Sequence, residues 1–152
     1  MNYTHIQTWG VGSQICFQTE SIACIKEIHL YYNYLSKEKI SHEYISAYVL
    51  DYLKHKAGAR LDLTVFEHLF FRMELSFQDR NGTYTAENSR EMDYAPVVLC
   101  DMRLSYTYKN ASAFITCYNV CDQEYRDIGS LLQPGRWISG GIEIELFAKN
   151  KK

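Results

Sequence analysis

The chain has 152 residues and 17.8 kDa, and its 16 Lys plus Arg against 18 Asp plus Glu leave a net charge of −2. That length suits one ordinary domain, and the lack of any block of five like charges excludes a polybasic nucleic-acid tail. Hydrophobic residues at 47% exclude intrinsic disorder, no apolar run approaches the roughly 18 residues of a transmembrane helix, and 13 Tyr against 2 Pro favour strands.

Alternation of apolar and polar residues dominates the chain and predicts seven strands. A first run, Thr8 to Gln18, places Trp9, Val11, Ser13, Ile15 and Phe17 on one face. A second sets Ile28, Leu30, Tyr32 and Tyr34 against Glu27, His29, Tyr31 and Asn33. A third, Leu53 to Val65, opposes Leu61 and Leu63 to Lys54, Lys56, Arg60 and Asp62. A fourth opposes Leu69, Phe71, Met73, Leu75 and Phe77 to Arg72 and Glu74. A fifth opposes Val98, Cys100, Met102, Leu104, Tyr106 and Tyr108 to Asp101 and Arg103. The sixth, Ser112 to Cys121, fits either face; Phe114, Thr116, Tyr118 and Val120 are taken as its apolar one. The seventh opposes Ile138, Ile142, Ile144 and Leu146 to Glu143 and Glu145.

None of the apolar rows contains Lys, Arg, Asp or Glu, although 22% of the chain is charged. Two architectures explain this. A soluble sandwich or lipocalin-like barrel turns such rows to a core, whereas a membrane barrel turns them to lipid and its polar rows to a wet lumen. The connections alternate strictly. Links at Glu20–Ala23, Phe66–Glu67 and Lys109–Asn110 are short; those at Ser36–Asp51, Asp79–Tyr94 and Asp122–Pro134 are long. Short periplasmic turns and long external loops produce that rhythm. Aromatic residues also sit near the ends of the apolar rows, where interfacial girdles need them.

Catalytic chemistry finds little footing. The five Cys (16, 24, 100, 117 and 121) include no CxxC, and the five His show no HExxH spacing. On a strand, Cys117 and Cys121 would lie about 13 Å apart, too far to share a tetrahedral ion. No metal, cofactor or enzyme activity is expected. Seven strands cannot close an antiparallel barrel, and the first residues carry neither a basic nor an apolar leader segment. The expectation is a portion of a larger barrel.

The stretch Tyr118–Gly129 (YNVCDQEYRDIG), followed by Gln133–Ile142 (QPGRWISGGI), resembles the C-terminal signature of TonB-dependent outer-membrane receptors. That signature reads roughly N-L-F-(D/N)-x-x-Y-x-D, a loop, then P-G-R and the closing strand. Tyr48–Lys56 and Phe77–Tyr84 are similar to barrel segments of the same family. The resemblance implies an all-β antiparallel transmembrane barrel segment of about seven strands, the C-terminal part of a roughly 22-stranded barrel. Residues 1–147 would be barrel and 148–152 a short polar tail. It further implies an outer-membrane location and import of a scarce ligand of the ferric siderophore, haem or cobalamin class. The implied partners are the rest of the barrel, a plug domain, TonB through an N-terminal part, and the lipid bilayer, with no nucleic acid.

The closing-strand motif then comprises Asn119, Pro134, Gly135, Arg136, Gly141, Ile144 and Leu146. Lumen or plug-facing candidates are Arg60, Arg72, Glu74, Arg103, Glu143 and Glu145. Ligand contacts belong on the long loops, where Arg80, Tyr84, Tyr94, Tyr125 and Arg126 are candidates because aromatic and Arg side chains dominate recognition surfaces. A small independent outer-membrane barrel and a soluble lipocalin-like carrier are the alternatives.

Overall fold

Residues alternating between apolar and polar side chains cannot bury a helical stripe, so they extend and pair. The computed structural model describes residues 6–19, 24–39, 51–86, 90–127 and 131–146. Among them there is no helix, and seven strands form one antiparallel sheet. These are β1 (Ile6–Gln18), β2 (Ile25–Lys39), β3 (Tyr52–Phe66), β4 (Leu69–Asn81), β7 (Val97–Tyr108), β8 (Ala111–Tyr118) and β11 (Trp137–Ile144). They lie side by side in chain order as a meander. Two small ribbons decorate the long links: β5 (Thr83–Thr85) with β6 (Glu91–Asp93), and β9 (Arg126–Asp127) with β10 (Leu131–Leu132). The sheet is not closed into a barrel, so β1 and β11 are its edges.

The ladder registers carry the apolar rows across the sheet on one face. Ile15 faces Leu30, Leu30 faces Ala59, Ala59 faces Leu75 and Leu75 faces Cys100. Most of these side chains stay uncovered among the described residues; Val11, Ile15, Val98 and Ile142 are all more than half exposed. Rings flank the rows at both ends. At the long-link end Trp9 meets Tyr34 edge-on at 5.3 Å, Tyr34 lies 4.9 Å from His55, and the Tyr32 hydroxyl is 2.8 Å from His55 Nδ1. At the short-turn end His68 meets Tyr106 and Tyr108 at 6.1 and 5.7 Å.

The sixth strand corrects the sequence reading. Tyr108 pairs with Ala111 and Tyr106 with Ala113, so Ala111, Ala113, Ile115 and Cys117 share the apolar face. Phe114 and Thr116 lie on the polar face instead, opposite Ser105 and Arg103, and Tyr118, opposite Trp137, shares it. A two-residue turn at Lys109 and Asn110 fixes this register, and register decides the face because a one-residue slip would flip every side chain. Val120 falls outside the strand, since Asn119 at φ 48° turns the chain left-handed. Strands β2 and β4 also run further than expected, taking in Ser36–Lys39 and Asp79–Asn81, because Thr8↔Lys37 and Leu53↔Arg80 continue the ladders. The last strand stops at Ile144 rather than Leu146. Most of the first long link and the expected tail, 148–152, lie outside the described residues.

Candidate functional site

The best-buried part of the molecule is at the long-link end, where Asp51, Tyr52, Tyr94, Leu99, Cys100, Thr116 and Asn119 are all buried. Its centre is Arg80. The strand β4 carries Arg80 just past the apolar rows, so its guanidinium points among the links rather than onto the wall. Nη1 donates to Asp51 Oδ1 at 2.9 Å, and Nη2 pairs with Asp127 Oδ1. The Tyr94 hydroxyl donates to Asp51 Oδ2 at 2.8 Å and lies 3.4 Å from the Asp127 carbonyl oxygen. One cation thus joins two carboxylates and a phenol from three separate links, with Arg80 also 5.7 Å over the Tyr94 ring.

Beside this hub a cleft of about 230 Å³ is lined by Tyr84, Tyr94, Pro96, Gln123, Tyr125 and Arg126, among others. Tyr84 and Tyr94 rings are 5.3 Å apart, and the Arg126 guanidinium sits 5.3 Å over Tyr84. All five loop residues singled out from the sequence therefore converge on one region. Burial pushes the Tyr125 phenol above its ordinary value, and the nearby Asp127 and Asp101 carboxylates push it the same way. The phenol is a neutral hydrogen-bonding group at neutral pH. Rings, a cation and a neutral phenol can grip a flat polar ligand by stacking and hydrogen bonding.

The closing-strand motif forms a clamp next to the cleft. Asn119 Nδ2 donates to the Gln123 carbonyl at 2.8 Å, and Asn119 Oδ1 accepts from the Gln123 amide at 2.9 Å. Its own amide donates to Asp101 Oδ1 at 2.8 Å, which ties the turn to β7. Asp122 Oδ1 accepts the Arg136 amide at 2.7 Å, and a Cβ at Gly135 would press on the same oxygen. The arginine's Nη1 reaches back to the Val120 carbonyl at 3.5 Å. Pro134 precedes this contact, where no ladder donor is needed. Asp51, Asp122 and Asp127 were not singled out by sequence. The D-Q-E-Y-R-D stretch of the motif contains the latter two and the Tyr48–Lys56 segment contains Asp51, but no role was attached to any of them.

The polar face holds a trough of about 460 Å³ toward the short-turn end, whose lining includes Glu27, Arg60, Asp62, Arg72, Arg103 and Glu143. Arg60 pairs with Glu27 at 2.6 Å and Asp62 at 3.2 Å; Arg72 pairs with Asp62 at 2.5 Å. Arg103 approaches Glu143 at 3.7 Å and lies 3.8 Å over the Phe114 ring. That ring lies against Gly141, where a Cβ would come within 2.8 Å of Phe114 Cζ. Glu74 accepts from the Tyr31 hydroxyl at 3.3 Å, and a Cβ on Gly58 would come within 2.3 Å of Tyr31 Cζ. Glu145 lies apart from the trough, near the Lys109–Asn110 turn, its amide bonded to the Asn110 carbonyl. Ile144 and Leu146 are exposed at the β11 end of the sheet.

Among the described residues no group of three or more His, Cys, Asp or Glu could hold a metal ion. The separation argued for Cys117 and Cys121 does not apply, because Cys121 sits in the turn after β8, and the neighbouring Val120 amide bonds the Cys100 carbonyl at 2.7 Å. No protein-family model, curated protein or solved structure matches the chain.

Proposed function

We propose that this chain forms part of the wall of an outer-membrane receptor of the TonB-dependent type, which imports a scarce ligand of the siderophore, haem or cobalamin class. One observation carries the reading: a broad face of exposed apolar side chains, free of charge between two bands of rings, with no second layer over it among the described residues. A soluble carrier would turn those rows inward. From Trp9 to Phe17 the row runs eight residue steps, about 26 Å along the strand or about 20 Å of height at a tilt near 40°, most of the roughly 25 Å apolar band of a membrane barrel. The ion-paired polar face then borders the lumen, where Arg60, Arg72 and Arg103 meet water or a plug. The hub around Arg80 forms the outer rim, and the cleft beside it receives the ligand.

The two tryptophans provide the test. Trp9 belongs to the apolar face, whereas Trp137 lies on the polar face, stacked on Tyr118 at 4.2 Å. In lipid vesicles, brominated acyl chains quench the emission of the Trp137→Phe variant, which keeps Trp9, and aqueous iodide does not. The Trp9→Phe variant shows the reverse. Iodide quenching of Trp9, with no effect of brominated lipid, defeats the wall reading. The import arm is measured in the full-length receptor as TonB-dependent uptake of ferric chelates, haem or cobalamin, and failure with all three removes that arm alone.

A further inference from the structure

Three cysteines gather where β7 leaves β8 behind. Cys100 is buried on the apolar face of β7, opposite Leu75. Met102 faces Cys117 across the next ladder, so Cys117 is the diagonal neighbour of Cys100 on that face. Diagonal Cβ atoms stand roughly 6–7 Å apart, whereas a disulfide takes about 4 Å. Those two thiols cannot join without moving a strand.

Cys121 approaches from a turn instead. Asn119 and Asp122 both take positive φ, 48° and 55°, and the Asp122 amide closes on the Asn119 carbonyl at 2.8 Å. Cys121 is the third residue of that turn, and it is exposed. The Val120 amide beside it donates to the Cys100 carbonyl at 2.7 Å, which holds the turn against β7 at Cys100. Cys100 also feels the charge of Cys121 more strongly than that of Cys117, although Cys117 shares its face. A thiol on an exposed turn can shift to meet a fixed partner, and one locked in a ladder cannot.

We infer that Cys121 and Cys100 form a redox site, closed to a disulfide by an external disulfide of the glutathione class, which pins the turn after β8 to β7. The Cys121 thiolate attacks the reagent, forms a mixed disulfide and releases one thiol. The Cys100 thiolate then attacks the Cys121 sulfur and expels the second. Two protein thiols are oxidised, one reagent disulfide is reduced to two thiols, and the protons lost by the cysteines end on those thiols. Gln123 and Tyr125, just beyond the turn, line the cleft, so the bridge tethers one side of it. The inference goes beyond the wall reading and does not depend on it.

The test uses the full chain in detergent micelles, carrying Cys16→Ser and Cys24→Ser, reduced and then treated with oxidised glutathione. Mass spectrometry reads the product as an intrachain bridge or as bound glutathione. Adding Cys117→Ala leaves the bridge intact. Adding Cys121→Ser, a change on the exposed turn, prevents it, and adding Cys100→Ala leaves glutathione held on Cys121. The bridge forms at least about tenfold faster in the folded chain than in urea, because the fold holds the two thiols together. Oxidation slows exchange of the Val120 and Gln123 amides, which bond the Cys100 carbonyl and Asn119 Oδ1, at least about tenfold. A bridge in the Cys100→Ala chain, glutathione left on Cys121 in the Cys117→Ala chain, or equal rates in urea overturns the pairing. Unchanged amide exchange overturns the pinning. Failure of the wall reading is seen separately, as iodide access to Trp9, and leaves these results standing.

Discussion

Placing a positive charge at Leu75 separates a lipid-facing wall from a hydrated one by magnitude. Leu75 is the middle residue of β4, six positions from Leu69 and six from Asn81. Six strand steps are about 20 Å, or about 15 Å of height at a tilt near 40°, half of a hydrocarbon core roughly 30 Å thick. Its neighbours across the ladders are Ala59 and Cys100, and neither can neutralise a guanidinium. In lipid, Leu75→Arg therefore costs about 2–4 kcal/mol, roughly 30- to 900-fold in the folding equilibrium. On a face bathed by water the same change at a residue 39% exposed stays within about 0.5 kcal/mol. Ser76→Arg, one residue along on the polar face, is the control and stays within that smaller bound. Urea unfolding of the vesicle-bound chain, followed by tryptophan emission, measures both. Equal effects of the two substitutions refute the assignment of faces.

Three further outcomes follow from the site geometry. Arg80→Met removes the cation shared by Asp51 and Asp127 and costs about 3 kcal/mol in thermal unfolding, much of it recovered by Asp51→Asn in the same chain, because a buried carboxylate that loses its charged neighbour is the expensive species. Gly141→Ala forces the Phe114 ring off the strand and costs about 1–3 kcal/mol; Phe114→Ala in the same molecule shrinks that penalty, which a double-mutant cycle measures. Tyr125 is expected to titrate above the usual phenol value near 10, seen as the difference in phenolate absorbance between the chain and Tyr125→Phe. Its folded value being the higher one, its contribution to stability is complete below the unfolded pKa. It is lost as pH rises through the folded one.

The strands were legible because a two-residue period survives any local noise, and β1, β3, β4 and β7 carry it cleanly. The sixth strand fits either face by its local pattern and was assigned the wrong one, although the turn at Lys109 and Asn110 already dictated that Ala111 share a face with Tyr108. Phe114 is accommodated on the polar side because Arg103 covers it and Gly141 makes room beneath it, and neither partner is visible in the local pattern. Arg80, Tyr84, Tyr94, Tyr125 and Arg126 were chosen for their side-chain types and their place on the long links. Their convergence was not legible, since it depends on Asp51 and Asp127, which come 29 residues before and 47 residues after Arg80.

Those separations also set an order of assembly. The guanidinium can meet Asp51 once β3 and β4 are zipped together, but Asp127 is reached only after β7 and β8 are in place. Long sequence separation makes such closure slow, because chain entropy is surrendered before the contact repays it. The Asp127 pair thus forms later than the Asp51 pair, and a chain arrested after β4 would present Asp51 and Arg80 without Asp127, with the remaining strands still unpaired.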